Sequence, residues 1–534
     1  MGMIKAIRNI FNLPPKNQNQ TNEDEGSKIP LKTDLEENIK TVKASLGHSP
    51  DIVIREIQIG KKGNIPAAVI FTDGLADTKS VNHLIIESLV TDIRITELDP
   101  EISSQTNTFD KLKKFALAVG DIKDSTDFET LFTSVLSGDT ALLVDGFAQG
   151  LIIGLKGWED RGVQESTSQN VIRGPKEGFS ENIRTNTALI RRKINDPNLW
   201  LENQQIGRIT KTNVSFMYIK GIASEKVIEE VRERLGRIDI DGILESGYIE
   251  ELIQDEKFTV FPTVFNSERP DVIAAGLLEG RIAILVDGTP FVLLVPAIFT
   301  QFFQSAEDYY QRADIASLVR ILRYLSFFIA LLAPSLYIAI TTFHHDLLPP
   351  QLLFSLAAQH EGVPFPALIE ALIMEITFEI LREAGIRMPR SVGQAVSIVG
   401  ALVIGQAAVE AGIVSAVMVI VVAITAIASF VLPAYNMGNS VRILRFGLMF
   451  MAASFGLFGI MLGLIGIVQH LCQLRSFGIP FMASFAPSIP SDKKDGLIRL
   501  PRWEMFSRPR FLSQRNIIRE DYPPIRGSKH NGKK

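Results

Sequence analysis

The sequence predicts an α+β front joined to a membrane all-α rear: duplicated cytoplasmic α/β subdomains, then a polytopic transmembrane helix bundle of four to five spans. Three observations carry this reading. First, the stretch from Leu325 to His470 holds four apolar runs, Leu325–Phe343, Ser391–Val409, Ile413–Pro433 and Phe446–Gln469, none with an Asp, Glu, Lys or Arg. A helix needs roughly 20 such residues to cross a hydrocarbon core about 30 Å thick. Second, the front half repeats itself. SGDTALLVDG ends at Gly146 and LEGRIAILVDG at Gly288, while GLADTK from Gly74 is echoed by GIASEK from Gly221. The two offsets, 142 and 147 residues, nearly agree, so two copies of one unit are expected, each ending in a hairpin with Asp-Gly at its turn. Third, arginine and lysine gather at both flanks of the apolar region.

Bulk properties exclude several classes. A net charge of −4 over 534 residues gives no electrostatic footprint for nucleic acid. Cys472 is the single cysteine, so there is no disulfide framework and no cysteine-based metal site. The mean hydropathy of +0.17 averages two unlike parts. MGMIKAIRNIFNL lacks the apolar core and cleavage site of a secretory signal, which leaves the front half in the cytoplasm.

In chain order, residues 1–32 read as a disordered N-terminal arm, polar and Pro-bearing. Subdomain 1 occupies 33–160: DLEENIKTVKASLG has helical spacing, and IVIREIQIG and AAVIFTDG read as strands. Residues 161–204 read as a basic linker, with RGPKEGF either an anion-binding loop or an exposed stretch whose arginines bridge the two halves. Subdomain 2 follows at 205–297, an amphipathic connecting helix at 298–323, the transmembrane domain at 324–474 and a basic tail at 475–534.

Arg312, Arg320 and Arg323 before the first span place the front half in the cytoplasm by the positive-inside rule. Lys493, Lys494, Arg499, Arg502, Arg508, Arg510, Arg515 and Arg519 argue the same for the tail, and four spans satisfy both ends. The segment Pro366–Gly385 is long enough to cross but carries Glu370, Glu375, Glu379, Arg382 and Glu383. Each charge at mid-bilayer costs a few kcal/mol. It reads as an interfacial or re-entrant helix, or as a fifth span that would put the tail outside.

Glu375, Glu379 and Glu383 are candidates for an acidic cation path; alternatively they form a charged face paired with Arg382, Arg387 and Arg390. Gly393, Gln394, Ser397, Ala401, Gly405 and Ala408 fall on one side of the next helix. Such a stripe is either a packing seam or a narrow pore lining. No catalytic set, nucleotide fingerprint, cofactor motif or convincing metal site can be assembled, so the chain reads as a non-enzyme.

GPKEGFSENIRTNTALIRRKI, ERPDVIAAGLLEGRIAILVDGTPFVLLVP, FQSAEDYYQR, PFPALIEALIMEITFEILREAGIRMP, VGQAVSIVGALVIGQAAVEAG and LRSFGIPFMASFAP resemble the A-subunit family of GerA-type spore germination receptors, from about Thr33 to Pro487. The resemblance implies a multi-pass subunit of the spore inner membrane, working with a transporter-like B subunit and a lipoprotein C subunit. It implies nutrient-triggered germination, with A subunits forming a homo-oligomeric, ligand-gated cation channel in the lipid bilayer. The alternative it leaves is a non-conducting scaffold that relays a signal to a separate dipicolinate or ion release channel.

Overall fold

The computed structural model describes residues 29–59, 65–83, 121–157, 165–166, 169–388, 405–513 and 516–519. The chain divides into two compact units. One comprises residues 1–254, 264–296 and 505–534; the other, 255–263 and 297–504.

The first unit holds two five-stranded sheets of the same topology. Helix α1 (Leu35–Ser45) precedes β1 (Ile52–Ile59) and β2 (Ile65–Thr72); β3 (Ile122–Ser125), α2 (Phe128–Leu136), β4 (Thr140–Val144) and β5 (Gly150–Ile153) complete the first copy. The second contains α3 (Ile183–Lys193), β6 (Leu199–Ile206), β7 (Thr212–Ile219), α4 (Glu225–Gly236), α5 (Ser246–Ile253), β8 (Phe265–Ser267), α6 (Pro270–Leu278), β9 (Ile282–Val286) and β10 (Val292–Val295). The strand orders are β1-β2-β4-β5-β3 and β6-β7-β9-β10-β8. All their pairings are antiparallel, which makes each copy an open α+β sheet without parallel crossovers. Central strands β2 and β4 read as apolar runs because both their faces are covered. Ala67, Val69 and Phe71 enter one cluster; Ala68 and Ile70 enter another with Leu35, Ile39, Leu131 and Val135 of α1 and α2.

The repeated Asp-Gly has a second task besides turning the hairpin. Asp145 Oδ1 accepts the Leu35 N–H at 3.1 Å and the Gly146 N–H reaches the Thr33 carbonyl at 2.8 Å. Asp287 and Gly288 do the same for Ile183 and Glu181, at 3.1 and 2.8 Å. Each turn thus satisfies the otherwise orphaned first amide of its own helix. Gly146 and Gly288 have φ of +87° and +92°, a region that suits glycine.

Residues 161–204 differ from the linker expected of them. They supply α3 and the start of β6, the opening elements of the second copy. The run RTNTALIRRKI looks solvated by composition, yet Ala188, Leu189 and Ile190 are core residues and Arg191 is 1% exposed. Arg191 Nε lies 2.7 Å from Asp51 Oδ2, Arg184 pairs with Asp73 at 2.8 Å, and Arg191 also donates to the Leu199 carbonyl. The arginines do bridge the two halves, but from a helix. RGPKEGF turns the Pro175 carbonyl toward the buried guanidinium of Arg269, at 2.8 Å.

The second unit is helical. Two 3₁₀ turns (Phe299–Phe303 and Ala306–Tyr309) stand where a connecting helix was expected, and α7 (Ala313–Phe343) follows. Next come α8 (Pro350–His360), α9 (Ala367–Arg387), the short α10 (Gly405–Glu410), α11 (Ala416–Phe430) and α12 (Tyr435–Gln473). Among the described residues α7 and α12 are long and apolar enough to cross a membrane. Arg320 and Arg323, two of the arginines ahead of the first span, are buried at the foot of α7. Arg320 donates to Asp308 at 3.1 Å, to Asp495 at 2.8 Å and to the Asp495 and Gly496 carbonyls; Arg323 reaches Asp308 at 2.7 Å. The beginning of the supposed tail, with Lys494 and Arg499 buried, is therefore built into this unit.

The run Phe446–Gln469, read as one span, is two antiparallel arms. Gly456 interrupts α12 with φ 61° and ψ −142°. A Cβ on Gly459 would stand 2.2 Å from the Met451 carbonyl oxygen, and one on Gly463 2.4 Å from Leu448 Cδ2. Leu448 and Gly463 would be about 22 Å apart on a straight helix at 1.5 Å per residue. Both arms end on one loop: Ser440 donates to the Val260 carbonyl, and His470 Nε2 lies 2.9 Å from Thr259 Oγ1. The bend itself packs on His344, beyond the other end of α7; a Cβ at Gly456 would come within 2.6 Å of its ring.

Candidate functional site: a layer of paired charges between α9 and α12

Helix α9 brings its carboxylates inward at the spacing of one turn. Glu375 is fully buried, and Arg445 of α12, 1% exposed, places Nη2 2.7 Å from Glu375 Oε2. Glu379 lies 2.6 Å from Arg442 and 3.4 Å from Arg445. Two acids one turn apart thus meet two bases one turn apart, and these four charges cancel. Arg382 stands over the rings of Phe430 and Tyr435, at 5.3 and 5.8 Å. Glu383 pairs with Arg387 at 2.6 Å, both largely exposed.

Arg387 takes a carboxylate in the manner foreseen and Arg390 lies outside the described residues; the inner pair belongs to Arg442 and Arg445. Their signal was present in SVRILRF: two arginines three apart, just ahead of an apolar run, match Glu375 and Glu379 four apart. Compensation on this scale lets four ionisable side chains sit in an apolar bundle. Removing one partner of a buried pair leaves an uncompensated charge worth about 3–5 kcal/mol.

Gly393, Gln394, Ser397 and Ala401 lie outside the described residues. Gly405 is buried, with its Cβ direction 3.5 Å from Val419 of α11. Ala408 is half-buried, and its carbonyl accepts the Ile413 N–H that closes α10.

A second polar group was not anticipated. Tyr337 of α7, His360 at the end of α8, Glu370 of α9 and Ser415, the N-cap of α11, converge. Tyr337 Oη lies 2.8 Å from His360 Nε2 and 3.3 Å from Ser415 Oγ. Glu370 Oε1 accepts the Ser415 backbone N–H, and Ser415 Oγ accepts that of Met418 at 3.2 Å. No motif announces this group, because its members come from four elements.

Comparison with known proteins identifies the family. The description "Bacillus/Clostridium GerA spore germination protein" fits residues 40–511. Spore germination protein KA of Bacillus subtilis (strain 168) is 50% identical over 486 residues, 91% of this chain and 88% of that protein. Spore germination protein GerLA of Bacillus cereus is 39% identical over 492 residues, 92% of this chain and 98% of that one. The solved N-terminal domain of the A subunit of the Bacillus megaterium spore germinant receptor GerK3 is 41% identical, with a TM-score of 0.41, over 51% of this chain and 98% of that one. The chain belongs to the GerA spore germination protein family.

Proposed function

We propose that this chain is the A subunit of a nutrient germinant receptor in the spore inner membrane and that copies of it assemble into a gated cation channel. Its partners in this reading are a transporter-like B subunit, which holds the nutrient, and a lipoprotein C subunit. The observation that carries the membrane part of the reading is the neutralised α9–α12 layer. With Glu375 and Glu379 paired, α9 can cross the bilayer, and the two-armed α12 returns the tail to the side of the Asp255–Thr263 loop. The first unit and the tail then share the cytoplasmic side, as the flanking arginines and lysines require. Nutrient binding shifts the ring between closed and open states by its differential affinity for the two.

A second reading, the non-conducting scaffold, is favoured by Gly405 packing on Val419, the behaviour of a seam. Cysteine accessibility decides between them. Single cysteines across residues 391–410, in a Cys472→Ser background because Cys472 is exposed, are treated with a water-soluble thiol reagent before and after triggering. A pore gives labelling at 393, 397, 401 and 408 that rises on triggering. Uniform protection in both states makes the stripe a packing seam and rejects the channel.

A further inference from the structure

The Tyr337–His360–Glu370–Ser415 group has the chemistry of a site for one positive charge. Glu370 is fully buried, yet only Oε1 is engaged, by the Ser415 amide. Its second oxygen, Oε2, has no hydrogen-bond partner among the described residues. His360 Nδ1 stands 3.8 Å from it, too far for a hydrogen bond and close enough to be drawn into one by a shared proton. The titratable groups gathered here are His360 from α8 and Tyr337 from α7; α11 contributes the Ser415 hydroxyl and amide. The arginines of α12 are engaged elsewhere, Arg445 with Glu375 and Glu379 and Arg442 with Glu379. Tyr337 belongs to an apolar core cluster with Ile338, Ala371, Met418 and Val422, which give no solvation to a charge. A carboxylate oxygen buried in such surroundings without a donor is costly. The His360 side chain, 25% exposed, brings the group to the protein surface.

We propose that Glu370 Oε2 and His360 bind a single monovalent positive charge, a proton shared between Oε2 and Nδ1 or an alkali cation on Oε2, entering from the α8 side. The inference stands whether or not assembled subunits conduct, because its site lies within one chain.

The test uses the purified full-length chain in lipid nanodiscs. In one arm, infrared difference spectra follow the protonated carboxyl stretch as pH rises in choline chloride. In the other, pH is fixed and thermal unfolding is followed as NaCl or KCl replaces choline chloride. A carboxyl band that titrates in the wild type, is missing in Glu370→Gln and shifts its midpoint by about tenfold in proton activity in His360→Asn identifies a proton. Saturable stabilisation by Na⁺ or K⁺, lost in Glu370→Gln, identifies an alkali cation. If the wild type responds in neither arm, or Glu370→Gln responds as the wild type does, the site is rejected. Should Glu370→Gln fail to fold, His360→Asn decides alone: an unchanged midpoint and an unchanged salt response reject the proposal.

Discussion

Arg320, at the foot of α7, and Arg445, midway along the first arm of α12, are both buried among carboxylates, but their surroundings differ. Arg320 donates through Nε, Nη1 and Nη2 to Asp308, Asp495 and two backbone carbonyls, and Arg323 adds the Phe303 carbonyl and Asp308. Arg445 comes within 2.7 Å of Glu375, yet Arg445 Nε and both Glu375 oxygens lack an aligned hydrogen bond among the described residues. One cluster gains from charge and from hydrogen-bond geometry; the other gains chiefly from proximity. A satisfied network fixes a structure, whereas a partly satisfied one is more easily exchanged for another arrangement. The foot of α7 is therefore an anchor, whereas in the α9–α12 layer Arg442 donates to Glu379 and the Glu375–Arg445 pair stays without an aligned bond.

The largest effect is expected from Asp308→Ala, which removes the carboxylate that Arg320 and Arg323 share and leaves Arg323 without an ion-pair partner among the described residues. A loss of about 3–5 kcal/mol should remove most folded protein from the membrane fraction, as read by quantitative immunoblot against wild type. Recovery of normal levels would show that the foot is no anchor. Arg445→Met should come next, at about 3 kcal/mol, through the uncompensated Glu375. Here the comparison can be sharpened: Glu375→Leu combined with Arg445→Met should regain most of that loss in thermal unfolding, since paired hydrophobic replacements are often neutral. At the foot no such rescue is available, because backbone carbonyls would stay without donors. Equal behaviour of the two clusters would erase the distinction. Arg387→Ala, on the same helix but exposed, should change unfolding by less than about 0.5 kcal/mol.

How much of this was legible in the sequence depends on which residues are local. The duplication was, because VDG recurs and its turn chemistry is set by two adjacent residues. The capping role of Asp145 and Asp287 was not, because it joins residues 110 and 104 positions apart. Helix α3 was lost in a basic composition whose key arginine is buried by a partner 140 residues upstream. The fold-back of α12 was hidden for another reason. Gly447, Gly456, Gly459, Gly463 and Gly466 share one apolar run, and nothing local marks the one with positive φ. Of the layer between α9 and α12, the acids were singled out as a cation path or a charged face, and their bases on α12 were missed, though the matching spacings were in view.

The shared helix cap also has an evolutionary consequence. The helix N-termini of the two copies, Leu35 and Ile183, are 148 positions apart, whereas Gly146 and Gly288 are 142 apart. Net length has thus drifted by six residues inside the duplicated unit, while the Asp-Gly turn and its bond to the helix amide have not moved. An insertion at the turn shifts the carboxylate by about 3.4 Å per residue and leaves the amide out of reach. An insertion between β2 and β3, or between β7 and β8, leaves the bond from the Asp-Gly turn to the helix amide in place. A library of inserted tags should therefore be tolerated in those two intervals and rejected at both Asp-Gly turns, which maps where the ancestral gene was free to diverge.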